Sequence, residues 1–451
     1  TNMPTNGGKV QYQAQISSST KVYDGTTGKE IIKGYTGAYT TNSKGDRFVD
    51  MSQFAGGLVK DANGKVNTAA LYNKLISMGF PSTITSEDGT LPSAISAVVP
   101  TFNMPEVWKT SLAVDYSFKT SFPFSVTVEG IFNKTINGVT ISDWSIPSVG
   151  GFARFNGADN RPIYPAGYRT ATKAFVLENT DKGYGWSANI TLNAQPVRWI
   201  SLMAAYTHTV AKDITGMPGS NAESAFKYVP TVEGPNNIKL HNSQYNTPDR
   251  IVASLSAHDK SGNHYTLIYE GWLGGANYSY MTVNDINGDG YNYDAIYVPT
   301  DKEVENNEFR FKSEDDRTRF MEYVHANSYL KKQQGKYAEA YSLYSPWVNR
   351  FDFGYKHDFV IKANKFKNTL QLSFDIKNVM NLFNSSWGVA KYLNPEIGSE
   401  ARILKYEGVD ASGVATFSTP SSINGKTQTF TPSYTLGQCW YALVGVKYIF
   451  N

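Results

Sequence analysis

The residues best suited to chemistry lie in one short stretch, Asp285-Ile286-Asn287-Gly288-Asp289-Gly290-Tyr291-Asn292-Tyr293-Asp294. Oxygen-bearing side chains at its first, third and fifth positions, with glycine at the sixth for a tight bend, are how a loop wraps a hard cation such as calcium. Asp285, Asn287 and Asp289 would supply side-chain oxygens and Tyr291 its carbonyl. At the twelfth position, where a helix-loop-helix calcium site has a bidentate glutamate, this chain has Ile296, and Asp294 is the nearest substitute. Asx- and glycine-rich turns use the same residues without any metal, so both readings stay open at this level. The cofactor is thus Ca2+ or none, and in the first case its ligands are Asp285, Asn287, Asp289, Tyr291 and Asp294.

Other chemistry is thinly represented. The six histidines (208, 241, 258, 264, 325, 357) show no helical metal-ligand spacing. There is no Gly-x-Ser-x-Gly elbow, P-loop or dinucleotide fingerprint, and no carboxylate pair stands out as acid and base. No catalytic residue is assigned, and the expectation is that the chain is not an enzyme. Aromatic residues in the long connecting segments, chiefly Trp144, Tyr278, Tyr280 and Tyr293, are candidates for stacking on ligand rings. Packing within the loops is the plainer account of each.

The elements that would hold these residues are strands. The closing stretch, Trp440 to Phe450, places Trp440, Ala442, Val444, Val446, Tyr448 and Phe450 on one face and Tyr441, Leu443, Gly445, Lys447 and Ile449 on the other. That length fits a tilted strand crossing a bilayer. Similar alternation recurs around 112–118, 124–133, 186–194, 200–206, 251–257, 265–271, 351–359 and 370–376, giving nine clear strands. Their apolar rows lack Asp, Glu, Lys and Arg, whereas the opposite rows hold most of the charge. Lipid on one side and a wet lumen on the other select that division, although soluble sheets alternate too.

Connection lengths separate the two cases. Four short links alternate with long segments, as in outer-membrane barrels with short periplasmic turns and long extracellular loops. By that parity the closing strand runs toward the periplasm. Composition agrees: among 451 residues, 14% are aromatic and only 18% charged, with 30 Tyr and 38 Gly. Length alone would suggest about three ordinary domains, a rule that barrels break. A net charge of +3 gives no case for nucleic acid, and the single Cys439 rules out an internal disulfide framework. No apolar run is long enough for a membrane helix, and Thr1-Asn2-Met3-Pro4 does not open a signal peptide, so the chain is expected to be mature or a piece of something longer.

Residues 1–104 are read as a separate N-terminal region, with short strands at Val10 to Ile16 and Lys21 to Tyr23 and a helix from Asn67 to Gly79 stopped by Pro81. Residues 105–451 form a single barrel domain. Within its long segments Ser313 caps a helix through Val324, and a second helical piece is expected over Lys336 to Leu343.

Trp347-Val348-Asn349-Arg350-Phe351-Asp352, Phe374-Asp375-Ile376-Lys377-Asn378-Val379-Met380-Asn381-Leu382-Phe383-Asn384, Trp387-Gly388 and Tyr448-Ile449-Phe450 together resemble the C-terminal barrel of TonB-dependent outer-membrane transporters. The aspartate loop followed by Ile296-Tyr297-Val298-Pro299 is similar to the Oar-like branch, which carries an N-terminal carboxypeptidase-regulatory-like domain and is common in Bacteroidetes. The resemblance implies an all-β fold: the C-terminal part of a 22-stranded transmembrane antiparallel barrel, its long extracellular loops carrying short helices. It also implies a plug domain from the same precursor, energy delivered by TonB through the plug, lipid contact in the bacterial outer membrane, and room for a surface lipoprotein partner. The expected function is active uptake of a nutrient ligand (siderophore, peptide or glycan), with Arg350, Asp352, Asp375 and Lys377 shaping the lumen wall. The alternative is a secreted β-rich carbohydrate-binding or adhesion protein with a calcium loop. A secreted hydrolase is a third, requiring a carboxylate pair in a cleft.

Overall fold

Alternation of β-branched or aromatic residues with small polar ones suits a pleated sheet whose two faces meet different surroundings. In the computed structural model the nine alternating segments form nine long strands, numbered here β1 (Glu106–Phe118), β2 (Phe124–Asp143), β3 (Tyr184–Val197), β4 (Ile200–Asp213), β5 (Asp249–His258), β6 (Asn263–Leu273), β7 (Val348–Ala363), β8 (Phe366–Lys377) and β9 (Tyr441–Ile449). The structure describes residues 5–6, 9–10, 18–54, 63, 65, 68–80, 94–146, 149–170, 172–363, 366–398 and 400–450. Each long strand pairs antiparallel with the next in chain order. The sheet stays open: in the described residues β1 and β9 are each paired on one side only. The chain is thus mostly β, with 45% strand and 15% helix, and among the described residues the sheet does not close into a ring. No described helix is long and apolar enough to cross a membrane, which leaves strand crossings open.

Register joins the apolar rows into one face. Directly opposed residues share a face, and Leu112 of β1, Gly130 of β2, Ala188 of β3, His208 of β4 and Asp249 of β5 follow one another across the sheet. Lower down, Val126, Leu192, Ala204, Ala253, Tyr269 and Phe351 do the same from β2 to β7. Tyr355, Phe374 and Val444 continue the face from β7 across β8 to β9.

Links 119–123, 198–199 and 259–262 sit at one end of the sheet. The fourth short link, 364–365, lies outside the described residues, though the flanking Ala363 and Phe366 are paired. In the 259–262 turn, Asp259 accepts the amides of Ser261 at 2.8 Å and Asn263 at 3.0 Å. Gly262 has φ +90, and a Cβ there would come within 2.7 Å of the Asp358 carbonyl oxygen, so the turn needs glycine.

The opposite end carries the connections 144–183, 214–248, 274–347 and 378–440, and these hold the hydrophobic core. Phe309 and Phe417 stack at 4.6 Å, beside buried Phe320, Val324, Ile296 and Leu404. Tyr280–Thr282, Ala401–Val409, Ala415–Ser418 and Arg310–Phe311 form a small mixed sheet within this cap. In the nine long strands the described buried apolar side chains are Ile141 and Val348, both at the cap end. The usual arrangement is therefore reversed, with a core in the connections and a bare sheet.

Residues 1–92 and 93–451 are two separate compact units. The first contains a three-stranded antiparallel sheet (Lys21–Tyr23, Arg47–Val49, Tyr39–Thr41), with the Arg47 guanidinium over the rings of Tyr23 and Tyr39, and a helix at Thr68–Ser77 followed by Gly79 at φ +87. Pro81 and most of the expected Val10 to Ile16 strand lie outside the described residues. The boundary falls before the expected residue 104 because Ala94–Val98 pairs with Lys173–Thr180, which pairs with the upper half of β2. β2 runs on past the alternating residues 124–133 to Asp143.

Candidate functional site

The apolar face of the sheet is uncovered. Leu112 is 74% exposed, Val128 50%, Leu202 41% and Val446 70%, and the same face stays exposed at Ile190, Leu255, Leu267 and Phe374. Monomeric soluble proteins rarely leave a contiguous apolar patch of more than a few hundred Å2 in water. Aromatic residues border it at both ends: Trp108, Phe132 and Trp186 toward the cap, and Phe118, Phe124, Tyr265, Phe359 and Tyr448 toward the short links. From Trp108 to Phe118 the strand advances ten residues; at ~3.3 Å per residue and a tilt of ~40° the band is ~25 Å tall, the height of an outer-membrane barrel's apolar belt.

The other face is polar and internally bonded. Thr127 donates to Asp115 at 2.5 Å, Asn189 to Thr207 at 2.7 Å and Gln371 to Asp358 at 2.8 Å. Arg250 pairs with Glu270 at 2.5 Å, and Lys377 with Asp352 at 2.8 Å.

The residues behind the family resemblance knot the cap end of β7, β8 and β9 together. Asn378, at φ +52, donates its amide to Asp352 at 2.8 Å and its side-chain NH2 to the carbonyls of Gly388 and Gln438. Arg350 donates to Gln438 Oε1 at 2.8 Å, and Asn381 accepts the Trp440 amide at 3.1 Å. A Cβ on Gly388 would fall 1.8 Å from Asn378 Oδ1, so only glycine fits beside that amide. These residues position strand ends.

The aspartate loop lies in the cap as a stack of side-chain turns. Gly288 and Gly290 donate their amides to the two Asp285 oxygens at 2.7 and 2.9 Å. Asn287 accepts from Asp289, Asp289 from Tyr291, and Asp294 from Ile286. Asn287, Asp289 and Asp294 are buried. Asp294 and Asp159 flank Arg161, which is 0% exposed: Asp159 takes it bidentately at 2.9 Å, Asp294 at 3.4 Å, and Arg161 also donates to the Ala295 carbonyl at 2.8 Å. Burial alone would weaken the guanidinium's charge, but the two carboxylates outweigh it and hold Arg161 firmly protonated. Burial, then the charge of Asp285, pushes the Asp289 carboxyl up to about 7 from an ordinary 3.8. Burial and Asp289 also raise Asp294, against the pull of Arg161.

The donor types suit a calcium ion, yet among the described residues no three His, Cys, Asp or Glu side chains are grouped closely enough to hold a metal. As folded, the carboxylates serve backbone amides and Arg161. Stability then depends on pH in a definite direction. Between about pH 4 and about pH 7 folded Asp289 keeps a proton that the unfolded chain has lost, so stability falls as pH rises through that window and levels off above it. The fall is at most about 4 kcal/mol from that shift. Asp289→Asn is expected to flatten it in urea titrations at pH 5 and pH 8, whereas an unchanged slope would place the titrating group elsewhere.

Each of the four aromatic candidates has its own surroundings, and the ring contacts of Tyr278, Tyr280 and Tyr293 are to other residues. Trp144 is 61% exposed, and Tyr278 packs against Phe430 at 6.1 Å. Tyr293 lies against Tyr228 at 5.1 Å and under the Arg402 guanidinium. Tyr280 is a core residue, stacked on Tyr329 and accepting from Asn327 at 2.7 Å, and leaves no ring face for a ligand. Ser313 caps Glu314–Ala326 as expected, accepting the Asp316 amide at 3.1 Å. The second helix is Ser328–Gln333, earlier than the expected Lys336 to Leu343, which instead holds the short strands Lys336–Tyr337 and Leu343–Tyr344. Asn327 starts that helix by accepting two amides, and Gly335, at φ +81, follows its end.

Sequence reading missed Arg161 and Asp159. They sit in an aperiodic loop, and Arg161's partner Asp294 is remote in sequence, so no local signal marks them. No family model matches the chain, and no curated protein matches it.

Proposed function

We propose that the nine-strand sheet is part of the wall of a transmembrane β-barrel in a bacterial outer membrane, and that the chain belongs to a TonB-dependent transporter taking up a nutrient ligand. The observation that carries this reading is the apolar face, continuous from β1 to β9 and bare of covering protein. A carbohydrate-binding or adhesion protein secreted into water would have to bury that face. The open edges of β1 and β9 fit a larger ring completed by further strands, since unpaired backbone groups are not tolerated in hydrocarbon. In this arrangement the cap stands outside the cell and meets the ligand, the polar face lines the lumen beside a plug, and TonB acts through that plug. A surface lipoprotein would bind on the cap. Residues of this chain bind and guide; they do no covalent chemistry.

Expression with the strands that complete the ring, in a Gram-negative host, followed by density-gradient fractionation tests the reading. The chain is expected in the outer-membrane band, resistant to carbonate and extracted only by detergent. Recovery as a soluble protein without detergent would favour the adhesion reading.

The calcium expectation is tested on the same preparation. Calcium bound in the Asp285–Asp294 loop would keep Asp289 ionised and abolish the loss of stability toward neutral pH. At a hundredfold excess over its dissociation constant it would add about 2.7 kcal/mol. Equal stability and equal pH slope in calcium and in chelator would leave the loop a turn stack.

A further inference from the structure

At the cap end, one pleat beyond Phe132, Trp186 and Val210, the row on the apolar face changes character. The register runs Trp108, Lys134, Tyr184, Lys212, Asn242 across neighbouring strands. Two lysines thus flank a tyrosine directly above the aromatic border of the belt. Their strands lie two spacings apart, ~10 Å, within reach of a single bound group for side chains of that length. Lys134 donates to the carbonyls of Asp181 and Gly183, and neither lysine has a carboxylate partner among the described residues. Lys212 also lines a cavity of about 270 Å3 with Lys239, Leu240, Glu233 and Tyr337. Glu233 is paired with Arg154 at 3.2 Å, whereas Lys239 and Leu240 are exposed at the cavity's edge.

We propose that Lys134, Tyr184 and Lys212 form a binding site for the phosphate of an anionic lipid headgroup in the leaflet nearest the cap, with the cavity beside Lys212 receiving the headgroup's polar remainder. The inference rests on the membrane reading above and adds a specific lipid to it. Its position decides the ligand class. Ammonium groups one pleat above a ring of Trp and Phe lie at the level of lipid phosphates, where each basic residue adds about fivefold to binding of an anionic surface. Tyr184, between the two lysines, offers a hydroxyl donor to the same phosphate. A soluble anion would meet the same donors but would gain nothing from acyl chains lying along Trp186 and Phe132.

The test uses the chain together with the strands that close its ring, reconstituted in phosphatidylcholine vesicles with phosphatidylglycerol added, then extracted gently for native mass spectrometry. The wild type is expected to retain phosphatidylglycerol over phosphatidylcholine. Lys134→Gln and Lys212→Gln should each lower that preference about fivefold, and together about 30-fold, with insertion into the vesicles unchanged. Equal preference in wild type and double variant, with both inserted, overturns the proposal and leaves the membrane reading intact. Complete displacement of the lipid by millimolar inorganic phosphate also overturns it, by assigning the site to a soluble anion. Failure of the wild type to insert overturns both.

Discussion

Ile190→Arg is expected to cost about 2–4 kcal/mol of folding free energy in a bilayer, while Thr191→Arg, one residue along the same strand, costs less than about 1 kcal/mol. Ile190 lies near the middle of β3 on the apolar face, between Val128 of β2 and Tyr206 of β4. An arginine there would project from the apolar face into hydrocarbon. Thr191 faces the other way, between Thr127 and Ala205, and bonds to Asn189 at 2.9 Å. On that wet face a guanidinium keeps its water and joins a ladder already rich in acids. Urea titration of the chain folded into vesicles measures both costs. In a water-soluble sheet the outcome would differ: Ile190 is 40% exposed, and an exposed apolar-to-charged change is usually worth less than about 0.5 kcal/mol either way.

Arg161→Met should be the most damaging substitution in the cap, at about 3–5 kcal/mol, because it strands two buried acids. Asp159 would keep only the Tyr337 hydroxyl at 3.0 Å as a close partner, and Asp294 would keep the Ile286 amide at 3.1 Å. Asp294 also ends the Asp285–Asp294 loop, so the loop should loosen with it. Adding Asp159→Asn and Asp294→Asn to Arg161→Met removes the stranded charges and should recover most of the loss. Thermal unfolding followed in the near ultraviolet reads this directly, since the cap holds many of the packed tyrosines. A single variant as stable as wild type would mean that the trio is not the cap's central tie.

The strands were legible because their signal is local. Leu112, Val114, Tyr116 and Phe118 announce a face within one segment, and register then needs only the short links to bring neighbouring segments together. The cap was not legible, because its contacts join segments that carry no period. Asp316 accepts the Thr419 amide at 2.9 Å, and Phe309 finds Phe417 across a similar span of chain. Tyr280 shows the cost: among loop tyrosines nothing distinguishes the one that packs inward from those that remain outside. The spacing of Asp285, Asn287 and Asp289 pointed to a loop rich in oxygen donors, with or without a calcium ion. It could not reveal that Arg161, from another connection, stands beside Asp294 as a fixed cation.

Cysteine scanning from Trp186 to Ala194, in a chain whose exposed Cys439 has been replaced by serine, tests the central claim most directly. With the protein in vesicles, a membrane-impermeant maleimide applied to both sides should label cysteines at 187, 189, 191 and 193 and spare those at 186, 188, 190, 192 and 194. Equal labelling of the two sets would mean that water reaches both faces of β3, and the membrane-wall account would have to be abandoned.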